Sequence, residues 1–229
     1  MTVDMWMTRD PLTIAPTTAI SAAALLMTRR KVRRLVVVDG EHRVVGMVSA
    51  GDIARAFPPD LNPTSAAVTD RSVPAPVATI MTRAICSVAS GAAMEEAARL
   101  LRAHKIGAVP VVQGSRLAGI VTESDLFRAL VEMSDPGEPG VRITFELDEG
   151  EDVVATMLAV CRGHHARIAS LFSFHHRDAR TGDRRRLGVI RLAGDVPEAI
   201  VDAVWRSRHR VLTVVRRAAA GDEETVRER

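Results

Sequence analysis

The sequence predicts an α+β chain in which one β-α-β-β-α unit occurs twice and a βαββαβ sandwich follows. Three observations carry this. Met7-Thr8-Arg9 recurs as Met81-Thr82-Arg83, and the two copies close alike, on Gly46-Met47-Val48-Ser49-Ala50-Gly51-Asp52 and Gly119-Ile120-Val121-Thr122-Glu123-Ser124-Asp125. The offset is 74 residues through Gly40 and Gly114 and 73 beyond them, a register that marks one supersecondary unit used twice. Helix-period stretches alternate with β-branched runs inside each copy. Finally, Ser134-Asp135-Pro136-Gly137-Glu138-Pro139-Gly140 interrupts the pattern, and a different order of elements begins after it.

Each copy is read as a short strand near Thr13-Ile14 or Ser87-Val88, a helix, a hairpin and a second helix opening at Ser49 or Thr122. The first helix spans 18–30, with Ile20, Ala24 and Met27 on its apolar face, and its counterpart spans 93–104. Leu35 to Val38 and Val44 to Val48 flank Asp39-Gly40, and Ala108 to Val112 and Leu117 to Val121 flank Gln113-Gly114, both hairpin signals. Five prolines between Pro58 and Pro76 suit an extended connector. The last region reads strand 141–147, helix 152–162, strand 166–174, strand 186–192, helix 196–206 and strand 211–215, the order of a ferredoxin-like sandwich. The expected divisions are therefore 1–57 and 79–133 for the repeats, 58–78 and 134–140 for linkers, 141–217 for the sandwich, and 218–229 for a flexible polar tail.

Composition narrows the function. Of 229 residues 47% are apolar, enough for sizeable cores, but only 3% are aromatic and none is Tyr. Stacking platforms for single-stranded nucleic acid are thereby disfavoured. All but two of the 31 basic residues are Arg, yet the net charge is only +3. Cys86 and Cys161 lie in different regions with no signal peptide before them, which predicts free thiols in a reducing cytoplasm. The least charged stretch, Pro11 to Thr28, is too rich in Thr, Ser and Pro to cross a membrane.

The doubled Gly-x-x-[Ser/Thr]-x-x-Asp, the opening Met-Thr and the Val-Pro-Val-Val of Val109 to Val112 resemble a tandem pair of CBS domains, a Bateman module. Val36 stands in the first copy where the family has proline. The third region resembles an ACT domain by element order and by Asp148-Glu149-Gly150 at its first turn, and the combined order resembles acetoin-utilisation B-type proteins. What the resemblance implies is a non-catalytic regulatory sensor. Its aspartates would hold ribose hydroxyls, its Ser or Thr would approach ribose or phosphate, and adenine would lie against the first strand and the hairpin. Carried over, one cleft would comprise Thr13, Ile14, Leu35, Ser49 and Asp52, and the other Ser87, Val88, Ala108, Pro110, Thr122 and Asp125. The ligand would be AMP, ADP, ATP or S-adenosylmethionine, with no cofactor required. A homodimer and an unidentified regulated protein are the expected partners, and the ACT-like domain would bind a small effector or mediate assembly.

Chemistry read from the residues supports part of this. A carboxylate accepts two charge-assisted bonds from a vicinal diol, and a helix N-terminus offers N–H groups to phosphate. Yet a hydroxyl three positions before a carboxylate is equally a capping box, which needs no ligand. Arg55 and Arg128, three residues after each aspartate, are candidate phosphate ligands or solvated surface arginines. Arg33 and Arg34, aligned with Gly107 and Ala108, would sit beside the cleft. His164-His165 and His175-His176 do not suggest a metal within one chain, because His165 and His175 would stand about 33 Å apart in extended strand. The rival reading is a nucleic-acid-binding regulator using Arg184, Arg185, Arg186, Arg206, Arg208 and Arg210, and a pure dimerisation scaffold is a further alternative.

Overall fold

The computed structural model describes residues 1–56, 75–134, 137–147, 152–177, 182–207, 209–217 and 225–228. Two compact units result, Met1–Ala129 and Leu130–Arg229. Most of the proline-rich connector and the Asp148-Glu149-Gly150 turn lie outside the described residues.

The first unit holds β1 (Thr8–Arg9), β2 (Thr13–Ile14), α1 (Ile20–Arg30), β3 (Arg34–Val38), β4 (Val44–Ser49) and α2 (Ala50–Ala56). After the connector come β5 (Val88–Ala89), α3 (Met94–His104), β6 (Ala108–Gln113), β7 (Arg116–Thr122) and α4 (Glu123–Ser134). The copies fold alike down to their exceptions. α1 and α3 each end on a lysine, Lys31 and Lys105, in the left-handed conformation at φ 54° and 53°, and each lysine N–H caps its helix. In each copy the short strand runs parallel to the hairpin's first strand and the hairpin pairs antiparallel.

The opening segments cross over. β1 of the first copy pairs with β7 of the second, Thr8 opposite Ile120 and Arg9 opposite Gly119. Conversely, Thr82 of the second copy exchanges backbone bonds with Met47 of the first, at 2.9 and 3.0 Å. The cores follow the same exchange. Val3 and Met7 are buried among Val88, Met94, Leu101 and Val109, whereas Val77 and Met81 join Ile14, Leu35 and Val48. Burial of these apolar side chains fixes each opening segment on the other repeat. Glycine at 46 and 119 makes room for it, since a Cβ there would meet the sulfur of Met81 or of Met7. The opening segment expected within each repeat, 1–57 or 79–133, thus packs on the other repeat. A small apolar cluster of Val36, Val38, Ala108, Leu117 and Ile120 joins the two hairpins, and it is there that Val36 is buried.

The second unit runs β8 (Gly140–Glu146), α5 (Val153–Gly163), β9 (Arg167–Arg177), β10 (Arg184–Ala193), α6 (Glu198–Trp205), β11 (Val211–Arg217) and β12 (Thr225–Glu228). The sheet order is β12-β11-β8-β10-β9, antiparallel throughout. Ile143, Phe145, Ile190 and Leu192 meet Val153, Met157, Ile200 and Val204 of the helices in one core. Asp152 starts α5 by accepting the Ala155 N–H at 3.1 Å. β12, within the stretch 218–229 read as a tail, pairs antiparallel with β11.

Candidate functional site

β4 ends at Ser49 and β7 at Thr122, and each runs directly into a helix. Three residues on, Asp52 and Asp125 turn back over those helix starts. Asp52 Oδ2 accepts the Ser49 backbone N–H at 2.8 Å and its hydroxyl at 2.7 Å, and the Asp52 N–H donates to Ser49 Oγ at 3.2 Å. In the second copy the same bonds measure 2.9, 2.7 and 3.3 Å. The capping box is therefore formed in both copies and commits one carboxylate oxygen of each.

The other oxygen meets arginine. Arg55 donates to Asp52 Oδ1 and Arg128 to Asp125 Oδ1, the latter at 3.0 Å. The two arginines are held unequally. Arg128 also donates to the Trp6 carbonyl at 2.8 Å and lies over the Trp6 ring, 5.9 Å from its centroid. Among the described residues Arg55 has Asp52 as its one hydrogen-bond partner, and its side chain is 75% exposed, against 53% for Arg128.

A cavity of about 430 Å³ opens over Ser49 and Asp52. Arg34, Met47 and Val48 of the first copy line it too, and the rest of its wall comes from the second copy: Thr82, Ala84, Ile85 and Cys86, and His104, Lys105, Ile106, Gly107 and Ala108. A second cavity, about 680 Å³, lies over Thr122 and is walled by the matching residues of the first copy, Thr8, Asp10, Pro11, Leu12, Lys31, Val32 and Arg33. Arg34 and Gly107 line both. A crossed pair of cavities follows from the crossed opening segments, each carrying the helix start of one copy and the approach strand of the other.

The sequence-derived clefts are regrouped by this geometry. Ser49 and Asp52 stay together, but Ala108 joins them instead of Asp125. Ile14 and Leu35 are buried in the first core, Val88 in the second, and Pro110 is buried opposite Ile120. Thr13 is half-buried and Ser87 exposed, and neither lines these two cavities. Asp125 is more enclosed than Asp52, its side chain 9% exposed against 16%, and it does not line the second cavity. Cys86 borders the first cavity. Lys31 and Lys105 were not anticipated as lining residues; their shared position just past a helix end was the available signal.

Elsewhere, Arg185 and Arg210 both face Glu146, at 3.9 and 3.2 Å, and Arg206 faces Asp202 at 3.5 Å. Part of the arginine cluster of the second unit is thus charge-balanced, which weakens its case as a phosphate-backbone surface; Arg208 lies outside the described residues. Among the described residues, no group of three His, Cys, Asp or Glu side chains could hold a metal, and no helix is long and apolar enough to cross a membrane.

The CBS domain family model matches residues 3–59 and 77–132. CBS domain-containing protein YhcV of Bacillus subtilis is 31% identical over 56% of this chain and 84% of its own length. Uncharacterized protein MJ1404 of Methanocaldococcus jannaschii is 33% identical over 71% of this chain, which spans only 41% of that protein. Among solved structures, a candidate acetoin utilization protein, AcuB, of Vibrio cholerae is 31% identical over 61% of this chain and 98% of its own, with a TM-score of 0.49. CBSX2, solved in complex with AMP, is 30% identical over 57% and 96%, also at 0.49. CBS-domain proteins are generally regulatory and non-catalytic, although some are fused to enzymes. With its two copies, its two matched helix starts and these relatives, the chain belongs to the CBS-domain family.

Proposed function

We propose that the first unit is a regulatory sensor that binds adenosine-containing ligands in its two cavities, with Asp52 receiving the ribose hydroxyls on the wall of the first and Asp125, which stands just behind the Thr122, Glu123 and Ser124 that line the second, turning to receive them there. The observation that carries this is the placement of Asp52 and Ser49 on the wall of a cavity that combines apolar side chains such as Met47, Ile85, Ile106 and Ala108 with the basic side chains Arg34, His104 and Lys105. Such a wall suits a purine, and the carboxylate suits a diol.

Asp52 already accepts three bonds, so a diol needs the oxygen that Arg55 occupies. Ligand entry therefore displaces Arg55, which is free to swing onto a phosphate. Asp125 requires the same of Arg128, against two further contacts to Trp6. The Asp52 cavity is the one that fills first.

The second unit is read as an ACT-like domain on the strength of its βαββαβ order, serving assembly or a small effector. Leu171, Phe172 and Phe174 stand exposed on its edge strand β9, and Phe127, Leu130, Val131 and Met133 stand exposed on α4. These uncovered apolar groups support a homodimer.

Calorimetric titration with AMP, ADP, ATP and S-adenosylmethionine tests the reading, using ligand-stripped protein and the variants Asp52→Ala and Asp125→Ala. Saturable binding lost one site at a time is expected. A 2′-deoxy ligand should bind roughly tenfold or more weakly, since a charge-assisted bond contributes about 1.5–3 kcal/mol. Equal affinity for ribose and deoxyribose forms would remove the aspartates from the site.

A further inference from the structure

We infer that Arg34 is a phosphate-binding residue held in common by the two cavities, so that one guanidinium serves both ligands. The inference rests on the adenosine-ligand reading only for the identity of the ligand body.

Four observations support it. Arg34 is in the wall of both cavities. Its guanidinium lies against the Gly107 backbone at a point where any Cβ would collide with it, and Gly107 too lines both cavities. The side chain is half-buried, yet no carboxylate among the described residues is in salt-bridge reach of it. The repeat supplies no second copy of the charge, because the residue equivalent to Arg34 is Ala108.

A partly desolvated cation without an acid partner is costly to maintain and gains most from an anion. The planar guanidinium presents its donors in a fork that matches phosphate oxygens. Packed against a glycine, it sits in the wall common to the two cavities and can offer donors to either side. Lys31 and Lys105 differ in this respect, since each lines only one of these two cavities. Two anions drawing on one guanidinium compete for it, so phosphorylated ligands in the two cavities are coupled antagonistically while uncharged nucleosides are not.

The test uses the full chain with each cavity isolated in turn, in Asp125→Ala and Asp52→Ala backgrounds. ATP, adenosine and inorganic triphosphate are titrated with and without Arg34→Ala, and Arg34→Lys serves as a charge-keeping variant. Unchanged melting temperatures show that each variant is folded. The expected result is that Arg34→Ala weakens ATP about tenfold or more in both backgrounds, leaves adenosine within twofold, and is only partly reversed by lysine. Loss confined to one background, or an equal loss for adenosine, would overturn the shared role. Should wild-type protein bind neither ATP nor adenosine, the adenosine reading fails, and triphosphate alone then decides: binding reduced by Arg34→Ala sustains this inference, and binding indifferent to it, or absent, ends it.

Discussion

Replacing Val3 by alanine should loosen the second repeat, although the substitution lies in the first. Val3 is completely buried among Val88, Met94, Ala97, Leu101 and Val109, and its N–H donates to the Ala92 carbonyl at 2.9 Å. The change removes two carbons from that core, about 0.8 kcal/mol each by transfer. With the cavity left behind, the cost comes to about 2 kcal/mol. Since 1.4 kcal/mol is a factor of ten, that is about thirtyfold in the equilibrium for opening this core. Amide hydrogen exchange reads it directly, because local opening is resolved element by element. Amides of β6 and β7, such as those of Val109, Val111 and Val121, should exchange about thirtyfold faster, while those of Val37 and Val48 in β3 and β4 should change much less. Val77→Ala, on the matching segment of the second copy, should do the reverse. Acceleration confined to β3 and β4 in Val3→Ala would refute the crossed arrangement. An equal shift in both hairpins would deny the separate cores on which the estimate rests.

Asp4 fastens the same segment, accepting the Ser90 hydroxyl at 2.7 Å and the Gly91 N–H, and these bonds, led by Ser90, hold its carboxyl below the usual carboxylate range. A depressed pKa stabilises the folded state above the unfolded value of about 3.9 and ceases to do so as pH falls through the folded value. Asp4→Ala should therefore lower the melting temperature at pH 7, with the difference from wild type closing below about pH 4; a gap that persists in acid would show that the charge is not involved. Burial pushes the Cys161 thiol up, whereas Cys86 is half-buried on the first cavity wall. A thiol reagent at neutral pH should label Cys86 first, and a bound nucleotide should slow that labelling without affecting Cys161; faster labelling of Cys161 would contradict this.

Much of the fold is legible because it is locally encoded. Asp39-Gly40 and Gln113-Gly114 specify hairpins between β-branched runs, and the structure has β3–β4 and β6–β7 there. The capping boxes were equally readable, since Ser49 with Asp52 and Thr122 with Asp125 are bonded within a few residues of chain. The crossing was not. Both opening segments carry Met-Thr-Arg and both hairpins offer the same surface, so a pattern of apolar residues is satisfied equally by pairing with itself or with its twin. The one local hint was the unexplained glycine at 46 and 119, where an alternating strand has no need of it. The grouping of Thr13, Ile14 and Leu35 with Asp52 rests on each copy being read alone, whereas the cavity beside Asp52 also draws Thr82, Ala84, Ile85, Cys86 and Lys105 to Ala108 from the other copy. β12 escaped because Thr225-Val226-Arg227-Glu228 contains a single apolar residue, which leaves no alternation to read.

The crossing also constrains how the two copies can drift apart over generations. A substitution at Thr82 or Lys105 alters the surroundings of Asp52, and one at Thr8 or Lys31 alters those of Thr122, so each of these two cavities draws on both copies. Selection on one ligand therefore falls on both halves of the gene. Loss of either copy would remove both sites at once, which gives the duplication a reason to persist even where only one site is used.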